Sequence, residues 1–280
     1  MAALAALQAA FAAGWWLDAT TVLAALLAGL AVGAMSRILD TRRRATNLAR
    51  FQSPRLVEVI ASQAEALQSG ATQDAVVLFV DIVGFTARSE RMGPAETAAF
   101  LRAFHEKVEA AADPLGGTIL QFAGDGVLVV FGLPEPAAGD ATRALHFVER
   151  LFDVAAQGGL DLRAGGHAGP VQFSLLGGTR HRIVSVSGDV VNMASRLQQL
   201  AKTHHVALAL SDALIASDGP ARAWADTAGL TSLVNQALRG RASPETIWIG
   251  MPPEPRPPAP RAAGTGPARH TRSGSDAAGG

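Results

Sequence analysis

Between residue 75 and about residue 250, short apolar runs suited to strands alternate with longer stretches of helical periodicity. Strand patterns fall at Val76–Val80, Thr118–Phe122, Val127–Phe131, Leu160–His167, Ile183–Val186, Val206–Leu210 and Thr246–Ile249. Helical patterns fall at Pro94–Ala112, Ala137–Ala156, Asp189–Ala201 and Ser211–Ala216. Pro94 and Asp189 stand where helix starts favour them. Interleaving of this kind predicts an α+β domain, a mixed sheet with helical cover.

The first strand ends as a plain core strand does not. In VVLFVDIVGFT, Val76 to Thr86, an apolar run meets Asp81 and then Gly84. A buried carboxylate is costly unless its charge is compensated. A second carboxylate supplies part of the answer. In LQFAGDGVLVVFG, Asp125 lies between Gly124 and Gly126, after one strand pattern and before the next. That reads as a tight hairpin with an acid at its tip. If the Asp81 strand pairs beside the hairpin, two carboxylates meet at one sheet end and repel unless a cation sits between them. Mg²⁺ is held in this way, by one or two carboxylates plus substrate phosphates. The turn Ile82-Val83-Gly84-Phe85-Thr86 then offers backbone N–H groups to an anion at a helix start. Alone, Asp81 reads as a strand-end or capping residue and Asp125 as a turn residue. Together they point to a nucleoside triphosphate site.

Three stretches in order, VVLFVDIVGFT, FAGDGVLVVFG and VSGDVVNMASRL, resemble the catalytic domain of the class III nucleotidyl cyclases. AGGHAGPV before the third stretch and ALRGRASPETIWI near residue 249 look like the same family, so the resemblance covers about residues 74–250. FQSPRLVEVI is similar to the segment that precedes such domains in membrane-anchored bacterial members. The resemblance implies a ferredoxin-like fold and a head-to-tail homodimer with each site between two chains. It implies that Asp81 and Asp125, helped by the Ile82 carbonyl, hold two Mg²⁺ or Mn²⁺ ions, while amides around Phe85 and Thr86 meet the phosphates. From the partner chain, Asn192 would orient the ribose and Arg196 would neutralise charge developing at the α-phosphate. These two share a helix face by the i, i+4 relation. Arg239 matches a late basic residue that holds the terminal phosphates.

Two positions depart from the family pattern. The purine reader four residues before the hairpin aspartate, usually lysine in adenylyl cyclases, is Gln121, and the one seven before the asparagine, usually aspartate or threonine, is Ser185. An amide and a hydroxyl each donate and accept. Such a pair fits adenine without strongly rejecting guanine. ATP is the expected main substrate, with GTP left open; the glutamate and cysteine usual in guanylyl cyclases are missing here. A regulatory cyclase-like module without turnover, and a membrane interaction protein with an incidental α/β domain, are the rival readings. A diguanylate cyclase is disfavoured because FAGDGVL lacks the second acid and the Phe of that family's turn.

Composition bounds the chemistry. Lys+Arg and Asp+Glu balance at 24 each, so no overall field draws the chain to nucleic acid. There is no cysteine, which excludes disulfides and thiolate metal sites, and the seven histidines show no zinc-like spacing.

The two ends differ from the middle. Ala2 to Leu17 and Ala19 to Ser36 are uncharged on either side of Asp18. The second stretch reaches the lower range for a membrane-spanning helix, about 17–25 residues, and the first falls slightly short. Arg37, Arg42, Arg43, Arg44 and Arg50 follow, which marks that side as cytoplasmic. The expectation is a transmembrane helical hairpin over residues 1–38, in the inner or plasma membrane. Trp15, Trp16 and Asp18 would then lie near its outer interface, and Gly29 and Gly33 would form a close-approach pair. A helical hairpin packed on a soluble domain is the alternative. Residues 39–73 read as a linker, 74–250 as the catalytic domain, and 251–280, rich in Pro, Gly, Ala, Arg and Ser, as a disordered tail.

Overall fold

The computed structural model describes residues 2–12, 27–35, 56, 60, 67, 70–177, 182–237 and 243–252. Two helical stretches come first, α1 (Ala2–Ala12) and α2 (residues 27–35). Then come β1 (Ala71–Ile82), α3 (Phe85–Ser89), α4 (Pro94–Ala112), β2 (Thr118–Ala123) and β3 (Gly126–Phe131). They are followed by α5 (Asp140–Gln157), β4 (Leu162–Gly177), β5 (Arg182–Ser187) and α6 (Asp189–Thr203). β6 (Leu208–Ser211), α7 (Asp212–Ile215), α8 (Gly219–Thr227), β7 (Thr231–Gln236) and β8 (Glu245–Gly250) complete the order.

The strands form one mixed sheet in the order β2-β3-β1-β4-β6-β8-β7, with β5 paired to β4 outside that path. β1 lies antiparallel to both β3 and β4, and β4 lies parallel to β6. The first four strands with α4 and α5 make a βαββαβ unit, the ferredoxin-like arrangement expected from the resemblance.

Strand alternation decides which residues meet which helices. The even positions of β1, Val76, Leu78, Val80 and Ile82, are buried with Phe104 and Val108 of α4 and Phe147 and Leu151 of α5. The odd positions Ala75 and Val77 are buried on the other face with Val171 and Phe173 of β4 and Val190 and Ala194 of α6. Asp81 keeps the odd phase, so the face that carries it is the α6 face. α6 lies directly on β4: a Cβ at Gly165 would overlap backbone atoms of Ala194 and Gln198. The glycines of AGGHAGPV make this approach possible.

Several expectations change. β4 begins two residues later than its pattern and runs on to Gly177, because the ladders to β1 and β5 carry it through the glycines. α8 and β7 carry no sequence assignment; α8 starts where Asp218 Oδ1 accepts from the Ala221 N–H at 2.6 Å. β1 starts at Ala71, inside the expected linker. Leu67 of that linker is also fully buried, in the core cluster with Val77 and Phe173.

The N-terminal hairpin expected over residues 1–38 is described only over residues 2–12 and 27–35. Among the described residues no helix is long and apolar enough to cross a membrane. α1 is described over 11 residues, and residues 13–26 after it lie outside the described residues. The second expected span, Ala19 to Ser36, is described only over residues 27–35. Most of the linker, and the tail from residue 253, lie outside the described residues.

Candidate active site

The acid pair forms as the strand pattern requires. Asp81 stands across from Gly126 in the β1–β3 ladder, and Asp125 occupies the adjoining hairpin turn, where Gly124 adopts φ 66°. The two carboxyl groups are within hydrogen-bonding reach of each other. Burial, then the hydrogen bond to Asp125, then its charge push the Asp81 carboxyl up to about 6. The Ile82 N–H and the Arg163 guanidinium act in the opposite sense and do not offset them. Arg163 faces Asp81 from the other side, in the β1–β4 ladder. A carboxyl raised in this way favours its neutral form more than a free carboxyl does, and a bound cation would relieve the repulsion between the two acids.

The donor set fits a hard divalent cation. Two carboxylates at one sheet end, beside the backbone of a glycine turn, are oxygen ligands of the type Mg²⁺ and Mn²⁺ take, leaving the remaining positions to water and phosphate. Among the described residues no group of three or more His, Cys, Asp or Glu could hold a metal. The acids alone would therefore not close a coordination shell.

The turn that follows is shaped by Gly84, at φ 72°, which lets the chain reverse directly into α3. Phe85 and Thr86 open that helix, and first-turn amides have no helical acceptor. Phe85 stacks on Phe100 with ring centroids 5.9 Å apart, anchoring the turn to α4. Ile82 is buried and Thr86 is exposed.

Gln121 lies across from Leu128 in the β2–β3 ladder. Leu128 in turn faces Phe79 of β1, so Gln121 shares the sheet face of Asp81. Ser185 does not. It sits on β5 opposite Ser174, 11 positions along β4 from Arg163, which faces Asp81, and β5 also approaches β2, the strand of Gln121. Asn192 is exposed on α6, and Arg196 is half-buried with its Nη1 buried and without a hydrogen-bond partner among the described residues. No hydrogen bond or ion pair among the described residues joins either of them to the acid pair. Arg239 lies outside the described residues. Within one chain, then, Asp81, Asp125 and Gln121 share an end and a face of the sheet, and no hydrogen bond among the described residues joins Ser185, Asn192 or Arg196 to them.

Two residues at the site escaped the sequence reading. Gln198 of α6 is 2% exposed and donates from Nε2 to Asp81 Oδ2 at 3.2 Å. Its signal was a polar residue on the apolar stripe of Val190, Ala194, Leu197 and Ala201. His105 of α4 stacks on Phe122 with centroids 3.8 Å apart and hydrogen-bonds the Gly124 backbone, bracing the hairpin that carries Asp125. Burial pushes the His105 imidazole below its usual range.

Comparisons with known proteins agree with this geometry. The family described as "Adenylate and Guanylate cyclase catalytic domain" matches residues 67–249. An adenylate cyclase of Mycobacterium tuberculosis is 37% identical over 132 residues, covering 45% of this chain and 29% of that protein. An adenylate cyclase of Anabaena cylindrica is 30% identical over 183 residues, covering 59% of this chain and 36% of that protein. The chain thus spans about a third of the length of these curated relatives. Among solved structures, the guanylyl cyclase Cya2 is 26% identical with a TM-score of 0.55, covering 66% of this chain and 96% of that one. With the matched region spanning the sheet, the acid hairpin and α6, the chain belongs to the adenylate and guanylate cyclase catalytic domain family.

Proposed function

We propose that the protein is an adenylate cyclase, converting ATP to 3′,5′-cyclic AMP and pyrophosphate at the interface of a homodimer. The carrying observation is the contact between Asp81 and Asp125, with the Asp81 carboxyl raised to about 6. Such a pair is unfavourable as bare ions and suited to divalent cations. Bound there, Mg²⁺ or Mn²⁺, two per site, would lower the pKa of the attacking hydroxyl and balance the phosphate charge.

The reaction joins the ribose 3′-oxygen to the α-phosphorus as the bond to pyrophosphate breaks, and the hydroxyl proton leaves to solvent or phosphate. Positioning and electrostatics carry most of such a displacement. The Ile82 carbonyl adds a metal-facing oxygen, and the amides of Phe85 and Thr86 receive phosphate. Arg239 would hold the terminal phosphates. From the partner subunit come the Asn192 and Arg196 side chains, the first orienting ribose and the second meeting charge at the α-phosphate. The unpartnered Arg196 Nη1 supports a ligand supplied from outside the chain. Gln121 and Ser185 together would read the purine.

Nucleotide choice follows from those readers. An amide and a hydroxyl accommodate adenine while leaving guanine a measurable share of turnover. Membrane attachment belongs to the same reading, with the catalytic part cytoplasmic at the inner or plasma membrane. Leu4, Phe11, Leu27, Leu30, Val32 and Met35 are exposed on α1 and α2, and a bilayer would cover them.

The test is a product assay on purified full-length protein with Mn²⁺, supplied with ATP and GTP in parallel, beside the Asp81→Ala variant. Cyclic AMP from the wild type and none from the variant is expected. No cyclic product from either nucleotide at any protein concentration would leave a regulatory module instead.

A further inference from the structure

Gln198 is an unusual residue to find where it sits. It belongs to the buried stripe of α6, between Leu197 and the sheet, and an unpaired amide there would be costly. Both ends of its amide are used. The nitrogen donates to Asp81 Oδ2 at 3.2 Å, and Oε1 accepts from Gln199 Nε2 at 2.8 Å. A carboxylate offers only acceptors, so the nitrogen must face it.

The backbone around this contact is held as firmly as the side chain. Gly165 of β4 lets α6 approach until a Cβ there would overlap Ala194 and Gln198 backbone atoms. The Gln198 Cα is therefore set by strand–helix packing. Asp81 is set by its ladders to Gly126 and Arg163. The amide bridges two fixed points.

We propose that Gln198 is a positioning residue of the cation site, an inference that rests on the cyclase reading above. By holding Oδ2, it fixes the rotation of the Asp81 carboxylate beside Asp125. Partners of this kind, which hydrogen-bond a metal-ligating carboxylate, typically carry about 10–100-fold in metal affinity. Gln198 also ties Asp81 to the helix that carries Asn192 and Arg196, so the groups that serve the two pockets of a dimer share one rigid element.

The experiment is Mn²⁺ binding to full-length protein, read by loss of the free-ion electron paramagnetic resonance signal, with turnover on ATP measured alongside. Wild type, Asp81→Asn and Gln198→Met are compared. Methionine keeps the length and apolar stem of glutamine but removes the donor. Gln198→Met is expected to weaken Mn²⁺ about tenfold and raise the Mn²⁺ concentration for half-maximal rate by a similar factor. The KM for ATP at saturating Mn²⁺ should hold, a split that a general loss of folding would not produce. Unchanged Mn²⁺ affinity in folded Gln198→Met, with affinity lost in Asp81→Asn, overturns the positioning role and leaves the cyclase reading standing. Wild-type binding that Asp81→Asn does not reduce overturns both. If Gln198→Met does not fold, Gln198→Asn keeps a buried amide but shortens its reach by one methylene, and unchanged affinity there is equally fatal.

Discussion

Asp81 and Asp125 reach each other because one residue, Gly126, stands opposite Asp81 at the mouth of the hairpin. The ladder register fixes the first acid and the turn geometry the second. Their contact pushes the Asp81 carboxyl up to about 6, and the first two predictions follow from that shift.

Replacing Asp81 by Asn should divide activity from stability. Turnover with Mn²⁺ and ATP is expected to fall by about 10²-fold or more, as for other losses of charge-stabilising groups. Metal-free thermal stability at pH 8 should rise, because the neutral amide no longer repels Asp125. At pH 5 the two proteins should melt alike, since the wild-type carboxyl is then mostly protonated. Melting curves in chelator at both pH values check this.

The same shift gives a pH dependence to cation binding. The folded pKa lies above the unfolded value of 3.8. Protonated Asp81 therefore favours the fold below that value, and the favour is lost as pH rises through about 6. The groups facing Asp81 are Asp125, Arg163 and the Gln198 amide. Mn²⁺ competes with the Asp81 proton, so the Mn²⁺-induced rise in melting temperature should be large at pH 8 and shrink steeply below about pH 6. A flat response from pH 5 to pH 8 would place the cation elsewhere.

Gly165→Ala should damage the fold more than its size suggests. The added carbon meets backbone of Ala194 and Gln198, which cannot rotate away. The expected loss is about 1–3 kcal/mol or more, by denaturant unfolding. Gly169→Ala, whose Cβ meets side-chain atoms alone, the Val190 Cγ2 at 3.1 Å and the His167 Nε2 at 3.9 Å, should cost less.

His105 supports the hairpin through its ring and one hydrogen bond to Gly124. His105→Phe keeps the stacking on Phe122 and drops the bond, for a loss of about 1 kcal/mol. Burial lowers the folded pKa below the unfolded 6.5, so neutral His105 favours the fold above that value and the favour is lost as pH falls toward the lower one. The wild type should lose stability below about pH 6.5, and His105→Phe should lose less over the same range.

Gln121→Lys fixes the polarity of one purine reader. A lysine only donates. The ratio of ATP to GTP turnover should rise by about tenfold. An unchanged ratio would remove Gln121 from the base pocket.

Much of this arrangement could be read from residue order. The α4 pattern from Pro94 to Ala112 coincides with the helix, because a proline start and an unbroken apolar stripe leave little competition. Asp81 and Asp125 announced themselves as acids against apolar strands. β4 was read short because GGHAGP carries every local mark of a break, and only its neighbours β1, β5 and α6 explain why a strand continues there. The Gln198 contact was hidden for the same reason: it spans 117 residues of chain, and nothing local to α6 says which strand end lies beneath it.

The placement of Asn192 and Arg196 on α6, with no bond to the acid pair among the described residues, has a kinetic consequence under the proposed function. Asn192 and Arg196 of one copy would complete the site that Asp81 and Asp125 of the other begin, so a solitary copy would leave each site half built. Under the proposed chemistry, dilute samples would form product in proportion to the square of the enzyme present, turning linear once every molecule has found its mate.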